Sequence, residues 1–206
     1  MAEIILDYSA NTFRNDKTLI KRAIDEIQSF DKGKHKIVFK TQLFKEAGQN
    51  IPCTHDSFEY LYDYGNSKGY EVTSSIFDKE SLDYLLRFKI PFVKIANRPD
   101  LYWLIGEIPR KNAVYVSGNK HLLSHIGLYY DRLLFCISEY PADICKYVQG
   151  MPLGYSTDYL SDHTIGLDLY KKYLPNIWEK HLKLSDSTGL DAGPFAITPQ
   201  ELAEIL

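Results

Sequence analysis

The residues of this chain best suited to chemistry lie between Ser161 and Pro194. Ser161-Asp162-His163-Thr164 comes first, Ile177-Trp178-Glu179-Lys180-His181-Leu182 follows after a helix-sized interval, and Asp191-Ala192-Gly193-Pro194 closes the stretch. Residues two apart in an extended strand face the same side, so Glu179 points with His181, and Ser161 with His163. Two neighbouring strands of this kind present two imidazoles to one shared space. A single histidine at a strand end is ordinarily packing or surface. Two on adjacent strands, each with an acid beside it, suit a divalent transition metal that keeps open positions for substrate.

Lys94 is a second signal. It stands in Phe92-Val93-Lys94-Ile95-Ala96, and an ammonium group in an apolar strand is costly to bury unless an anion pairs with it. Lys40 and Gln42 share one face of Phe39-Lys40-Thr41-Gln42, although Lys34 and Lys36 show that lysines are ordinary in this region. Ser75, Asn97, Ser117 and Ser138 each lie at the end of a further apolar run. Lysines grouped with hydroxyls and an amide are the set that holds a phosphate and a carboxylate together. His121 and His125 are four apart at helical spacing, but no acid accompanies them, and they read as helix surface.

These side chains need a scaffold that gathers strand ends. Apolar runs predict strands at 4–9, 36–42, 72–75, 92–96, 113–117, 132–138, 152–156 and 176–184. Amphipathic stretches alternate with them, near 16–30, 55–66, 101–105, 121–128, 142–148, 165–173 and 198–206, with one more helix starting after Asp78. The first carries Leu19, Ile20, Ala23, Ile24 and Ile27 at helical spacing, with Asn15 or Asp16 as its N-cap. Eight strand-helix alternations imply parallel strands joined by helical crossovers, and eight is the count that closes a (β/α)₈ TIM barrel. Such barrels typically run to about 250 residues, so an open or incomplete parallel α/β sheet is the alternative for 206. A barrel collects the carboxyl ends of its strands at one mouth, where its active site lies.

The strand ends also carry a family likeness. Lys40-Thr41-Gln42-Leu43-Phe44, Ser74-Ser75-Ile76-Phe77-Asp78, Lys94-Ile95-Ala96-Asn97, Ser117-Gly118, Cys136-Ile137-Ser138-Glu139-Tyr140-Pro141 and the 161–181 stretch resemble, in order and spacing, the catalytic barrel of the sialic acid (N-acetylneuraminate) synthase family. The resemblance implies an enzyme that joins phosphoenolpyruvate to an N-acylated hexosamine or related aldose, giving a 2-keto-3-deoxy sugar acid (a nonulosonic acid) and phosphate. By position it implies phosphoenolpyruvate contacts from Lys40, Ser75, Lys94, Asn97, Ser117, Ser138 and Ser161. Gln42 and Asp191 join the substrate set, and Lys40, Lys94 and Glu179 the catalytic one. His163 and His181 would hold a divalent metal, manganese in the first place with magnesium or cobalt as alternatives, and Glu179 and Asp191 would lie near it.

Departures from the family pattern are as definite. Pro99 stands where the family has an acid, Asn11-Thr12-Phe13 replaces its Asn-His-Asn or Asn-His-Glu segment, and residues 155–160 read as an insertion. The likeness covers the barrel and not the family's C-terminal antifreeze-like domain, so the phosphoenolpyruvate and metal half is kept while the sugar half is altered or missing, and a homodimer or a separately encoded sugar-binding partner are the two partner readings. The alternative reading is a catalytically reduced barrel that binds a phosphorylated metabolite or a partner protein without condensation; an aldolase or lyase acting on a keto acid is a weaker third.

Bulk properties narrow the class. Residues 1–206 read as one domain, with 45% hydrophobic and 25% charged residues, as in ordinary globular proteins. A net charge of −3 offers no basic footprint for nucleic acid. Neither a secretory leader nor an apolar run of about 20 residues is visible, so no membrane association is expected. Cys53, Cys136 and Cys145 are odd in number and lack metal-type spacing, which fits reduced thiols and a cytoplasmic location.

Overall fold

The computed structural model describes residues 1–45, 48–118, 129–150 and 157–206. Its eight strands are β1 (Glu3–Asp7), β2 (Lys36–Leu43), β3 (Glu71–Ile76), β4 (Val93–Ile95), β5 (Val114–Gly118), β6 (Arg132–Cys136), β7 (Tyr159–Asp162) and β8 (Ile177–His181). They pair in sequence order into a closed barrel. Closure is made by β8 lying parallel to β1, from Glu3↔Ile177 to Asp7↔His181. The open-sheet alternative is therefore excluded. The short chain suffices because β4 has three residues and the crossovers are brief, down to the 3-10 segment Pro99–Glu107 between β4 and β5.

Strand seven needs correction. Residues 152–156, predicted as that strand, lie outside the described residues, and the strand pairing with both neighbours is Tyr159–Asp162. Phe135↔Leu160 and Leu160↔Trp178 place Leu160 in the sheet, so 159 and 160 are barrel wall rather than insertion. The run Tyr159-Leu160-Ser161-Asp162 hid this, because one apolar residue between polar ones carries little strand signal. The helix predicted at 121–128, with His121 and His125, also lies outside the described residues.

Local chemistry explains the surrounding helices. Asp16 caps Lys17–Phe30 by accepting from the Thr18 amide at 2.8 Å, and Ile20, Ala23, Ile24 and Ile27 form its buried stripe. A cap of this type contributes about 1 kcal/mol, and burying each large aliphatic side chain about 1.5–3 kcal/mol. Thr54 caps His55–Ser67, Asp78 caps Lys79–Leu85, and Thr198 with Glu201 forms a capping box on Pro199–Leu202. Among the described residues no helix is long and apolar enough to cross a membrane.

The barrel interior is split by height. Ile5, Val38, Phe92, Leu134 and Ile177 pack as a separate apolar cluster inside the strands. Moving two residues along each strand, the same face carries Asp7, Lys40, Lys94, Cys136 and Glu179. An apolar floor thus supports a charged layer at the carboxyl ends.

Candidate active site

The strand ends meet at a cavity of about 310 Å³ lined by every site residue expected from the sequence. Lys40, Gln42, Ser75, Lys94, Asn97, Ser117, Ser138, Ser161, His163, Glu179, His181 and Asp191 all border it. The volume falls at the small end of the range for small-molecule sites.

Glu179 is the centre of the charged layer. Its Oε1 lies 3.4 Å from Lys40 Nζ and its Oε2 3.2 Å from Lys94 Nζ, with all three side chains almost wholly buried. Lys40 also pairs with Asp7 at 2.7 Å and donates to Ser75 Oγ at 2.9 Å; Lys94 donates to Ser117 Oγ at 2.6 Å. Burial alone would push Lys40 down, but Asp7 and Glu179 outweigh it and hold the ammonium above its ordinary range. Lys94 is shifted down, by burial first and by the nearby Lys40 charge, with Glu179 opposing. For Glu179, burial works against the charged form, yet Lys94 and Lys40 prevail and keep the carboxylate ionised well below the usual range. Such a group serves as a shared counter-ion; it holds no proton at neutral pH.

The two imidazoles sit beside this layer, ring centroids 5.6 Å apart. His163 Nδ1 lies 2.8 Å from the Ile137 carbonyl. A carbonyl only accepts, so Nδ1 carries the hydrogen and Nε2 is left with the lone pair. Burial, with His181 adding to it, lowers the His163 pKa to about 3, so the ring is neutral. Buried His181 Nδ1 and Asp7 Oδ1 have no hydrogen-bond partner, and Asp7 Oδ2 lies 3.8 Å from His181 Nδ1. Tyr140 stacks on His163 at 4.2 Å and meets His181 edge-on at 5.9 Å, covering the pair. Among the described residues no group of three or more His, Cys, Asp or Glu side chains forms a complete metal cage. The two rings are the side chains here that could hold a metal: His163, bonded through Nδ1, leaves Nε2 with its lone pair, and His181 has a buried Nδ1 without a partner.

Charge balance bears on what can enter. Lys40 and Lys94 face the cavity against the carboxylates of Asp7, Glu179 and Asp191. Arg98 at the rim is taken up by Asp100, with Nε–Oδ1 at 2.9 Å and Nη2–Oδ2 at 2.5 Å. A multiply charged anion is therefore disfavoured by the protein alone and favoured once a divalent cation is added beside it.

Asp7, Asn50 and Tyr140 also line the cavity and escaped the sequence reading. Asp7 carried the same mark as the others, a polar residue ending Ile4-Ile5-Leu6, and was legible on that ground. Asn50 and Tyr140 lie outside the strands and carry no such mark. Asp191 is held in place from β1's side: Ser9 Oγ donates to its Oδ2, and Asn11 Nδ2 donates to the same oxygen at 3.0 Å and to Asn50 Oδ1 at 3.0 Å. Asn97, joined to Ser138 by a 2.7 Å hydrogen bond, forms the opposite rim.

Fold and site together define a (β/α)₈ barrel with a polar, carboxyl-end mouth. No family model and no curated protein matches the sequence. Among solved structures the chain is similar to N-acetylneuraminic acid (sialic acid) synthetase from Leptospira borgpetersenii serovar Hardjo-bovis in complex with citrate, with TM-score 0.76 and 21% identity over 98% of this chain and 80% of that one. It is also similar to spore coat polysaccharide biosynthesis protein E from Chromobacterium violaceum (TM-score 0.72, 20% identity, 99% of this chain and 72% of that one). Protein spsE of Bacillus subtilis, of the same description, gives TM-score 0.71 and 18% identity over 98% of this chain and 65% of that one. At these identities the likeness establishes the fold: this chain has the barrel that those proteins carry.

Proposed function

We propose that this protein is a phosphoenolpyruvate-dependent condensing enzyme of sugar biosynthesis, with an N-acylated hexosamine or related aldose as acceptor. The observation that carries the reading is the buried Lys40–Glu179–Lys94 bridge beside the His163 and His181 rings. Two ammonium groups sharing one carboxylate can each turn a donor to an incoming phosphate or carboxylate without leaving Glu179 unpaired. Ser75 and Ser117, already hydrogen-bonded to these lysines, supply the neighbouring hydroxyls. The barrel structures it resembles support the reading, one being named a sialic acid synthetase and holding the tricarboxylate citrate.

In the proposed reaction C3 of phosphoenolpyruvate forms a bond to the aldehyde carbon, whose oxygen takes up a proton and becomes a hydroxyl. Water adds at C2, losing a proton, and the C2–O bond to phosphate breaks to leave a 2-keto acid and inorganic phosphate. Lys40 and Lys94 neutralise the donor's phosphate and carboxylate. His163 and His181 would hold a divalent metal, manganese in our reading, which when bound supplies Lewis-acid polarisation of the aldehyde oxygen. Asp7, whose Oδ1 is unpartnered, and Asp191 offer acceptors for substrate hydroxyls. Tyr140 over the imidazoles limits water at the reacting end.

A second reading has one observation behind it. Pro99 opens the 3-10 segment, and the neighbouring Asp100 is engaged by Arg98, so neither supplies an acid to the sugar side. A barrel that binds phosphoenolpyruvate without condensing it would look like this. Calorimetric titration of phosphoenolpyruvate with manganese and then with chelator, followed by phosphate release across a panel of N-acylated hexosamines, separates the readings. Metal-dependent binding with turnover supports the enzyme, binding without turnover the second reading, and no binding sinks both.

A further inference from the structure

A buried ion pair lies behind the two histidines, on the opposite face of the same strands. Asp162 and Lys180 are ladder partners in β7 and β8, each one residue before a histidine, and both side chains have 0% exposure. Strand alternation points them outward, away from Ser161, Glu179 and His181. Lys180 Nζ lies 3.2 Å from Asp162 Oδ1 and donates to the Thr164 carbonyl at 2.6 Å. Asp162 Oδ1 also accepts from Thr164 N at 2.7 Å and Thr164 Oγ1 at 2.8 Å, while Oδ2 accepts from Trp178 Nε1 at 2.9 Å. The residues on both sides of His163 are thus tied to the residue that precedes His181.

A charge pair taken wholly out of water contributes little net stability, because desolvation offsets most of the attraction. What this one does have is placement. His163 follows the last residue of β7, where no ladder partner holds it, and its own amide is bound to the Tyr147 hydroxyl at 3.1 Å. With the Ile137 carbonyl on Nδ1, the ring is fixed from the barrel side, and the Asp162–Lys180–Thr164 contacts fix its backbone from the helix side.

We infer that Asp162 and Lys180 are positioning residues that set the separation and aim of His163 and His181 for a divalent metal. The inference rests on the two-imidazole reading given above. Lys180→Met removes the ammonium and keeps most of the stem, while Asp162 retains its three donors from Thr164 and Trp178, so the barrel is expected to fold. Calorimetry with Mn²⁺ alone should show affinity weakened roughly 10- to 100-fold, the range for groups that orient metal ligands. Phosphoenolpyruvate affinity at saturating Mn²⁺, which reports the Lys40–Lys94 side, should stay within about twofold of wild type, whereas general loosening of the barrel would weaken both affinities. The Co²⁺-loaded protein should show a shifted visible spectrum, a sign of altered geometry that a purely structural role would not produce. If Lys180→Met fails to fold, Thr164→Val, which removes one hydroxyl donor to Asp162, decides, with Mn²⁺ affinity expected to fall about threefold or more. Unchanged Mn²⁺ affinity in a folded variant overturns the positioning role and leaves the proposed function standing. Wild-type protein that takes up no Mn²⁺ overturns both.

Discussion

Lys94 illustrates how a residue's chemistry depends on neighbours remote in sequence. Its apolar flanks announced a buried cation, yet its partners Ser117 and Glu179 lie 23 and 85 positions away in other strands of the barrel. Lys94→Ala removes one of two anion-holding ammonium groups and leaves Glu179 with Lys40 alone. Phosphoenolpyruvate affinity should drop about 100-fold or more by calorimetry, as for truncation of one partner of a buried, hydrogen-bonded charge pair. Cys53 gives a pH prediction of known sign. Burial pushes its thiol from 9.0 up to about 12, so the unfolded chain gives up this proton before the folded one does. The stability that this group contributes is complete below about pH 9 and is lost as pH rises toward 12, at about 1.4 kcal/mol per pH unit. Urea midpoints measured between pH 8 and about 11 should fall less steeply for Cys53→Ala by that one proton. An identical slope would show that the thiol titrates normally.

At the scale of elements, the segment after β8 depends on a single glycine. Gly189 has φ +119°, and a Cβ there would stand 1.9 Å from the Asn11 carbonyl oxygen. The close approach brings Asp191 to the Asn11 amide and the Ser9 hydroxyl. Gly189→Ala should cost about 2 kcal/mol of stability in urea unfolding, since a strained backbone and a backbone clash combine. It should also raise KM for the sugar acceptor while leaving phosphoenolpyruvate affinity unchanged, because Lys40 and Lys94 are held by other strands. A matched loss of both affinities would count against a local role. Strand seven shows the reverse dependence, of local reading on tertiary context. Apart from the alternation of Ser161 with His163, little in Tyr159-Leu160-Ser161-Asp162 announces a strand; it becomes one because β6 and β8 offer two edges with room for a parallel partner.

Across the whole molecule, closure and charge act together. The β1–β8 ladder places Asp7 opposite His181 and turns eight strand ends into one cavity. With its lysines offset by carboxylates, that cavity should bind metal and anion cooperatively. In thermal unfolding, manganese at about 100 times its dissociation constant should stabilise by roughly 2.7 kcal/mol, raising Tm by about 5–10 °C for a chain of this size. Phosphoenolpyruvate should add a further rise with manganese and little with chelator. Equal rises in both conditions would remove the metal from the anion's binding energy.

The amino-acid order by itself determined the eight-fold alternation, the apolar strands with polar ends, the helix caps and the residue types at the mouth. These are local properties, set by side-chain periodicity and by hydrogen bonds reaching two to four residues. Only the tertiary structure decided that the sheet closes, that strand seven is Tyr159–Asp162, that Asn50 and Tyr140 border the site, and that Glu179 bridges two lysines. Those are outcomes of register between distant strands and of burial. Their energies depend on which charges share a desolvated space, and no stretch of sequence contains that information on its own.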